Sequence, residues 1–299
     1  MADYKNLVLF LSTDKHPSPF DALLMYDAGA DSVLLYGNVS KDEVKTLIQD
    51  AMFPRGPGGA AHTVLFIGGG NADLAEEIFN MAKSIMFPPF QLSTVADPRG
   101  AYTTSAALVA KVEDAMENIL GMKVESANVV VLGGGGRVGR YSAYLLAKSG
   151  AFVTIADIFD TSEIAANLNA QVGSNRIKTA RWDTESKVEV CKEADVIISA
   201  GPAGIQLISK EVLEKLPKLR LVADVNAVPP EGVEGLKAKW DANKEVVPNV
   251  LGIGSLAIGD IKLKTEKTLI KNAINTPGTF FGLDEAFEIA KAKVAKKKK

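Results

Sequence analysis

The sequence predicts an α/β protein made of two consecutive α/β domains that share a deep cleft. Three observations carry that expectation. Short runs rich in Val, Ile, Leu and Phe alternate with stretches of helical period along nearly the whole chain, the pattern of parallel strands joined by crossover helices. Between Ala127 and Ile158 the chain reads ANVVVLGGGGRVGRYSAYLLAKSGAFVTIADI, a strand, a glycine turn, a helix and a second strand in immediate succession. At 299 residues it is also long enough to bury two cores, with the join expected between Gly121 and Ala127. The first domain is placed at residues 1–122, with a C-terminal helix at 283–299 packing back on it, and the second at 123–282.

In the first domain, Leu7 to Leu11 reads as a strand that runs into a polar, proline-containing loop, Ser12 to Asp21. A helix follows, then a strand at Ser32 to Tyr36, a helix at Lys41 to Ala51 and a flexible PRGPGG segment. His62 to Ile67 is the next strand, closed by Gly68, Gly69 and Gly70. These glycines lack full phosphate-loop spacing and a terminal acid, so they read as a strand-to-helix turn. Asn71 is expected to cap the helix that carries Leu74, Ile78 and Met81. Gln91 to Ala96 makes a fourth strand, and after Asp97-Pro98-Arg99-Gly100 a long helix presents Leu108, Val112, Ala115, Met116 and Ile119 on one face.

The second domain opens on the run Val129 to Leu132, β-branched and suited to a strand buried on both faces. Gly134, Gly136 and Gly139 then supply the G-x-G-x-x-G spacing, in which the glycines serve a tight turn, close backbone approach to a pyrophosphate, and close packing of helix on strand. The second strand, Phe152 to Ala156, ends on Asp157, about where an acid should meet the adenosine ribose, roughly 20 residues on. Strand, turn, helix, second strand and acid together predict a Rossmann-type dinucleotide site. Gly134, Gly135, Gly136, Val138 and Gly139 form the expected pyrophosphate cradle at a helix N-terminus, and Arg137 either steadies the pyrophosphate or is simply solvated. A carboxylate at Asp157 accepts hydrogen bonds from a free 2′-hydroxyl and repels a 2′-phosphate. NAD is therefore the favoured cofactor, with NADP use left open.

Beyond Asp157 the alternation continues: a strand at Ile177 to Trp182, a helix at Val188 to Glu193, and strands at Val196 to Ala200 and Leu219 to Val225. Ligands of open parallel sheets bind outside the carboxyl ends of the strands. Ala200, Gly201, Pro202 and Asn226, in the turns that follow those strands, are therefore expected to face the nicotinamide half of the cofactor. Gly252, Gly254 and Gly259 permit close backbone approach near the same rim, and Lys262 follows at once. A last helix starts near Asp284.

Composition narrows the class. A hydrophobic fraction of 47%, charged residues at 23% and a net charge of -2 point away from nucleic acid and membranes. Two histidines and one cysteine are too few for a clustered metal centre, and Cys191 reads as a packed helix residue. The start, MADYKNLVLFLSTD, lacks a basic leader with a long apolar core, so a cytoplasmic location is expected. The KAKVAKKKK end reads as a solvated tail.

Six segments in order, HPSPFDALLMYDAGAD, FIGGGNADLA, PPFQLSTVADPRGAYTTSAALVA, SAGPAGI, DVNAVPPEGVEG and GIGSLAIGDIK, make the chain resemble the bacterial NAD(P)-dependent methylene-tetrahydromethanopterin dehydrogenases. The resemblance implies hydride transfer from the methylene bridge of the pterin to nicotinamide, giving methenyl-tetrahydromethanopterin without cyclohydrolase activity. It also implies a homo-oligomer, a trimer or a multiple of one. Members that prefer NADP carry a basic residue near the end of the second strand of the glycine domain, where this chain has Asp157, Ile158 and Phe159.

The resemblance assigns Lys262, after the GIG segment, to orienting the pterin ring, against the plainer account of a rim lysine in water. Asp97, Thr103 and Thr104 match an acid-then-Thr-Thr loop that would hydrogen-bond pterin edges, and a helix N-cap explains the threonines equally well. His16, Ser18 and Asp21 are pterin-binding candidates or loop structure. Tyr144 and Lys148 have Y-x-x-x-K spacing, but they lie on the far half of the glycine-domain helix and are set aside. No base-and-nucleophile arrangement is present, which suits oxidation of a carbon between two nitrogens, where no hydroxyl proton has to be removed. Two alternatives stand beside this reading: a methylene-tetrahydrofolate dehydrogenase, and a dinucleotide-binding sensor without turnover.

Overall fold

The computed structural model describes residues 4–183 and 185–297. The extreme N-terminus on which the leader reading partly rests, and the last two lysines of the basic tail, lie outside them. The chain divides into two compact units, Met1–Thr103 with Leu263–Ile289, and Thr104–Lys262 with Ala290–Lys299.

The first unit is built on β1 (Leu7–Ser12), α1 (Pro19–Asp27), β2 (Ser32–Tyr36), α2 (Lys41–Met52), α3 (Gly56–Ala60), β3 (Thr63–Gly68), α4 (Ala72–Ile85) and β4 (Ser93–Ala96). Helix α5 (Ala101–Asn118) follows and carries the chain across the division between units. β3 and β4 are buried along their whole length, as parallel strands covered on both faces should be. Phe10 and Phe66, on neighbouring strands, meet edge to face at 5.1 Å between ring centroids in the centre of the core. Asn71 caps α4 by accepting the Leu74 N–H at 3.1 Å, as its position in the sequence predicts.

The second unit contains β5 (Asn128–Leu132), α6 (Arg137–Lys148), β6 (Phe152–Asp157), α7 (Ser162–Val172), β7 (Ile177–Arg181), α8 (Lys187–Cys191), β8 (Val196–Ser199), α9 (Lys210–Leu213), β9 (Leu221–Asp224), β10 (Asp241–Val247) and β11 (Val250–Ile253). The chain closes with α10 (Ser255–Asn275), β12 (Phe280–Phe281) and α11 (Leu283–Lys297). The seven-stranded sheet runs β10-β11-β9-β8-β5-β6-β7, parallel except for the β10–β11 pair. Renumbered from β5, with β10 set aside, this is the doubly wound order 3-2-1-4-5-6, which reverses between β5 and β8. Cys191 is buried in the core on one face of this sheet, and burial pushes its thiol up to about 12, so it is an unreactive packing residue.

The expected boundary at residue 282 is corrected by a strand pairing. β12 lies parallel to β4, with Phe280 opposite Thr94 and Phe281 opposite Val95, so it extends the first sheet to the order β12-β4-β3-β1-β2. Gln91 Nε2 and Ser93 Oγ fasten the same edge to the Gly278 and Thr276 carbonyls at 2.6 and 2.9 Å. Residues 263–282 therefore belong with the first unit. The final helix, expected to join that unit whole, is divided between the two at Ile289.

Candidate dinucleotide site

The glycine turn sits where the strand order of the second sheet reverses, and its three fingerprint glycines are required for three different reasons. A Cβ on Gly134 would lie 2.7 Å from Ile155 Cγ2 and 2.8 Å from the Val131 carbonyl, so the turn could not lie down on β6. A Cβ on Gly139 would lie 2.6 Å from both the Gly133 carbonyl oxygen and Gly134 Cα, and backbone cannot move aside. At Gly136 the tightest protein neighbour would be the Gly133 carbonyl at 3.3 Å, and the residue is exposed. That glycine is less tightly enclosed than the other two, and the approach of a pyrophosphate needs such exposed backbone. Gly136 is the N-cap of α6, whose first-turn N–H groups, among them those of Val138 and Gly139, have no carbonyl of their own helix to bond.

Asp157 closes the other side of the turn. It is buried, and its carboxylate accepts the Gly135 N–H at 2.9 Å on one oxygen and the Ile158 N–H at 2.8 Å on the other. The carboxylate is thereby fixed against the glycine turn, and each oxygen keeps a lone pair to accept a further hydrogen bond. Phe159 packs on Gly135 closely enough that a Cβ there would strike its ring. Arg137 is exposed at the start of α6.

The rim beyond β8 and β9 is a set of interlocked loops. Gly201 meets the glycine turn backbone to backbone, its Cα 2.6 Å from where a Gly133 Cβ would stand, and the Ala200 N–H donates to the Leu132 carbonyl at 2.9 Å. Pro202 is exposed beside them. Asn226 is buried, and its side chain is committed to the protein: Oδ1 accepts the N–H groups of Gly204 (3.3 Å) and Val228 (2.9 Å), and Nδ2 donates to the Pro230 carbonyl at 3.0 Å. The Asn226 side chain thus acts as a clamp that ties two rim loops together. Gly254 is hemmed in by backbone. A Cβ there would collide with the carbonyls of Lys237 and Ala238, so the protein itself requires the glycine.

Sequence reasoning missed Asp224, at the end of β9. It is 1% exposed, and its carboxylate accepts the N–H groups of Asn226 (3.0 Å), Gly232 (2.7 Å) and Val233 (3.2 Å) as well as the Ser199 hydroxyl. Burial is the largest influence on it and pushes its carboxyl above the ordinary value, with these hydrogen bonds pulling the other way. A strand of four buried residues ending in an acid, LVAD, was the available signal.

In the first unit, Asp97 and Thr103 are buried at 1% and 0% exposure, and they satisfy each other. Asp97 Oδ1 accepts the Tyr102 and Thr103 N–H groups at 2.9 and 3.2 Å, and Thr103 Oγ1 donates to Asp97 Oδ2 at 2.6 Å. The pair thus organises the start of α5. Ser18 is the N-cap of α1, accepting the Asp21 N–H at 3.3 Å, and Asp21 itself is buried. His16 is exposed and Thr104 half-buried. Lys262 lies half-buried two turns into α10. Tyr144 and Lys148 sit on the second half of α6 and contact each other at 3.4 Å. Among the described residues no group of three or more His, Cys, Asp or Glu is arranged to hold a metal ion, and no helix is long and apolar enough to cross a membrane.

A doubly wound parallel sheet, a glycine turn at its switch point and an acid ending the next strand define a Rossmann-type dinucleotide-dependent oxidoreductase. Residues 19–99 match the family model of the methylene-tetrahydromethanopterin dehydrogenase N-terminal domain, and residues 101–246 match that of the alanine dehydrogenase/PNT C-terminal domain. The chain is 35% identical over 277 residues, 90% of its length and 92% of the relative's, to the NAD(P)-dependent methylenetetrahydromethanopterin dehydrogenase of Methylorubrum extorquens. It is 34% identical to the Bifunctional protein MdtA of the same organism, over 96% of this chain and 98% of that one. Among solved structures, quinate dehydrogenase from Corynebacterium glutamicum in complex with NAD is similar in fold, with a TM-score of 0.51 at 15% identity, covering 96% of this chain and 99% of that one. The chain belongs to the family of NAD(P)-dependent methylene-tetrahydromethanopterin dehydrogenases. It is thus an enzyme, an oxidoreductase of one-carbon metabolism that uses a nicotinamide dinucleotide.

Proposed function

We propose that the chain oxidises methylene-tetrahydromethanopterin to the methenyl form with NAD as the preferred cofactor, the second unit holding the dinucleotide and the first the pterin. The bound nicotinamide ring supplies the hydride acceptor. What the chain contributes is placement. Gly136 and the first turn of α6 receive the pyrophosphate, Asp157 accepts the ribose hydroxyls, and the rim loops clamped by Asn226 and Asp224 present a fixed backbone to the nicotinamide. No proton has to leave the substrate, because the cation that forms is shared by two nitrogens, so the absence of a general base from the sequence reading is consistent with this chemistry.

One observation carries the NAD preference: the Asp157 carboxylate is anchored by the Gly135 N–H where a 2′-phosphate would have to sit. Asp157→Ala is expected to raise kcat/KM for NADP relative to NAD by about tenfold, the size of one charge-assisted hydrogen bond lost and one repulsion removed. Steady-state rates with both nucleotides check this, and an unchanged ratio refutes the role of Asp157. For the pterin side we retain Lys262, with His16, Ser18, Asp21 and Thr104. Lys262→Ala is expected to raise KM for the pterin severalfold at unchanged KM for NAD. Normal pterin kinetics in that variant would take Lys262 out of the site.

A homo-oligomer in the cytoplasm completes the reading. In support of association, Phe20, Leu23 and Tyr26 of α1 and Leu34 and Leu35 of β2, an edge strand, are all exposed on the first unit.

A further inference from the structure

The first sheet has a topological switch point of its own. Its strand order reverses at β1, which lies between β2 on one side and β3 on the other, so the position where such sheets bind ligands lies outside the carboxyl ends of β1 and β3. Thr13 and Asp14 follow β1, and Gly69, Gly70 and Asn71 follow β3. Asp14 Oδ1 accepts the Gly70 N–H at 2.8 Å, and Thr13 Oγ1 accepts the Asn71 N–H at 3.1 Å, which fixes the Asp14 carboxylate there. Arg99 arrives from the end of β4, and its Nη1 lies 3.3 Å from Asp14 Oδ2. Gly70 lies beneath the pair: a Cβ there would stand 3.0 Å from Asp14 Oδ1 and 3.4 Å from Arg99 Nη1.

Arg99 holds a backbone conformation that arginine rarely takes, φ 51 and ψ 39, in the left-handed region. Its side chain is 61% exposed, and an exposed ion pair returns less than the left-handed backbone costs. Local folding would be served better by glycine at this position, so the reason for an arginine has to be sought in what its guanidinium meets.

We propose that Asp14 and Arg99 form the recognition pair for the pterin ring. This deepens the function proposed above and rests on its pterin reading. The pyrimidine edge of a pterin presents a ring carbonyl, an adjacent ring N–H and an exocyclic amine in a row. A carboxylate accepts from the N–H and the amine, and a neighbouring guanidinium donates to the carbonyl, so a fixed Asp–Arg pair matches the edge in the right order.

The test is Arg99→Gly in the full-length protein, followed by thermal unfolding, steady-state kinetics and calorimetric titration with reduced pterin in the absence of nucleotide. Glycine adopts the left-handed backbone freely, so the unfolding midpoint should equal or exceed that of the parent. KM for methylene-tetrahydromethanopterin should rise about tenfold or more while KM for NAD stays as it was. A lowered midpoint with unchanged pterin affinity would show that Arg99 serves the turn, and the proposal falls. If the parent binds reduced pterin without oxidising it, the function reading fails, and tighter binding by the parent than by the variant still supports the pair. If parent and variant bind pterin alike, the pair is refuted while the function reading stands.

Discussion

Gly139→Ala is expected to abolish NAD binding at any practical concentration, a loss of at least about a hundredfold in affinity. The added methyl carbon would lie 2.6 Å from the Gly133 carbonyl oxygen and from Gly134 Cα. Both belong to the glycine turn proposed to receive the pyrophosphate, and neither is the end of a flexible side chain. Helix α6 would have to lift away from the turn, which moves the donors at its N-terminus and opens a void over β5. The structure separates this from Gly136→Ala. There a methyl group would press on the Gly133 carbonyl from 3.3 Å, a contact that a shift of a few tenths of an ångström relieves, so the fold should survive while the approach of the cofactor is blocked. Calorimetric titration with NAD alongside thermal unfolding should therefore show both variants deficient in binding and only Gly139→Ala destabilised. Binding by Gly139→Ala within threefold of the parent would overturn the assignment of this turn.

The second large effect is expected at Asp224. Its carboxylate accepts three backbone N–H groups and a hydroxyl, and an asparagine in its place could not, because one of the two polar atoms would be an amide donor facing other donors. In either orientation at least one buried N–H is left facing a donor, at about 1–3 kcal/mol each. Asp224→Asn should thus destabilise the second unit by about 3 kcal/mol and loosen the loops that Asn226 ties together, lowering kcat more than affinity for NAD. The pH dependence has a definite sign. Burial holds the Asp224 carboxyl above its ordinary value, so the folded protein keeps this proton more tightly than the unfolded chain. This group favours folding most below about pH 3.9, its unfolded value, and that contribution is lost as pH rises through the higher folded value. Thermal midpoints of parent and variant across acid pH check both the size and the sign. A variant as stable as the parent at neutral pH would refute the clamp.

Much of the second unit could be read from residues alone, because its signals are local. The run Val129 to Leu132, the glycine spacing and Asp157 lie close together in the chain, and the structure brings them together as anticipated, with Asp157 on Gly135. Other elements escaped for equally physical reasons. The glycines of VLGIGSLAIGD suggest close backbone approach at the rim and hide the elements they belong to: Gly252 lies in β11 and Gly259 inside the 21-residue helix α10, where a Cβ would meet nothing within 4 Å. β10 is a polar edge strand with an irregular register, too weak in alternation to be seen. Arg99 carries no signal of its own in the sequence, since neither its left-handed backbone nor its partner Asp14 leaves a mark in the local pattern.

The sequence by itself determined the two-part α/β order, the place of the glycine turn and the acid that ends the following strand, since apolar period and glycine spacing act within a few residues. Only the tertiary structure decided how each polar atom is used. It turned Asp97 and Thr103 inward to begin α5, spent the Asn226 side chain on two loops, set Asp224 beneath them, and sewed Phe280 and Phe281 onto the first sheet. The reason is that a hydrogen bond is consumed by whichever partner the fold delivers, and those partners come from distant parts of the chain.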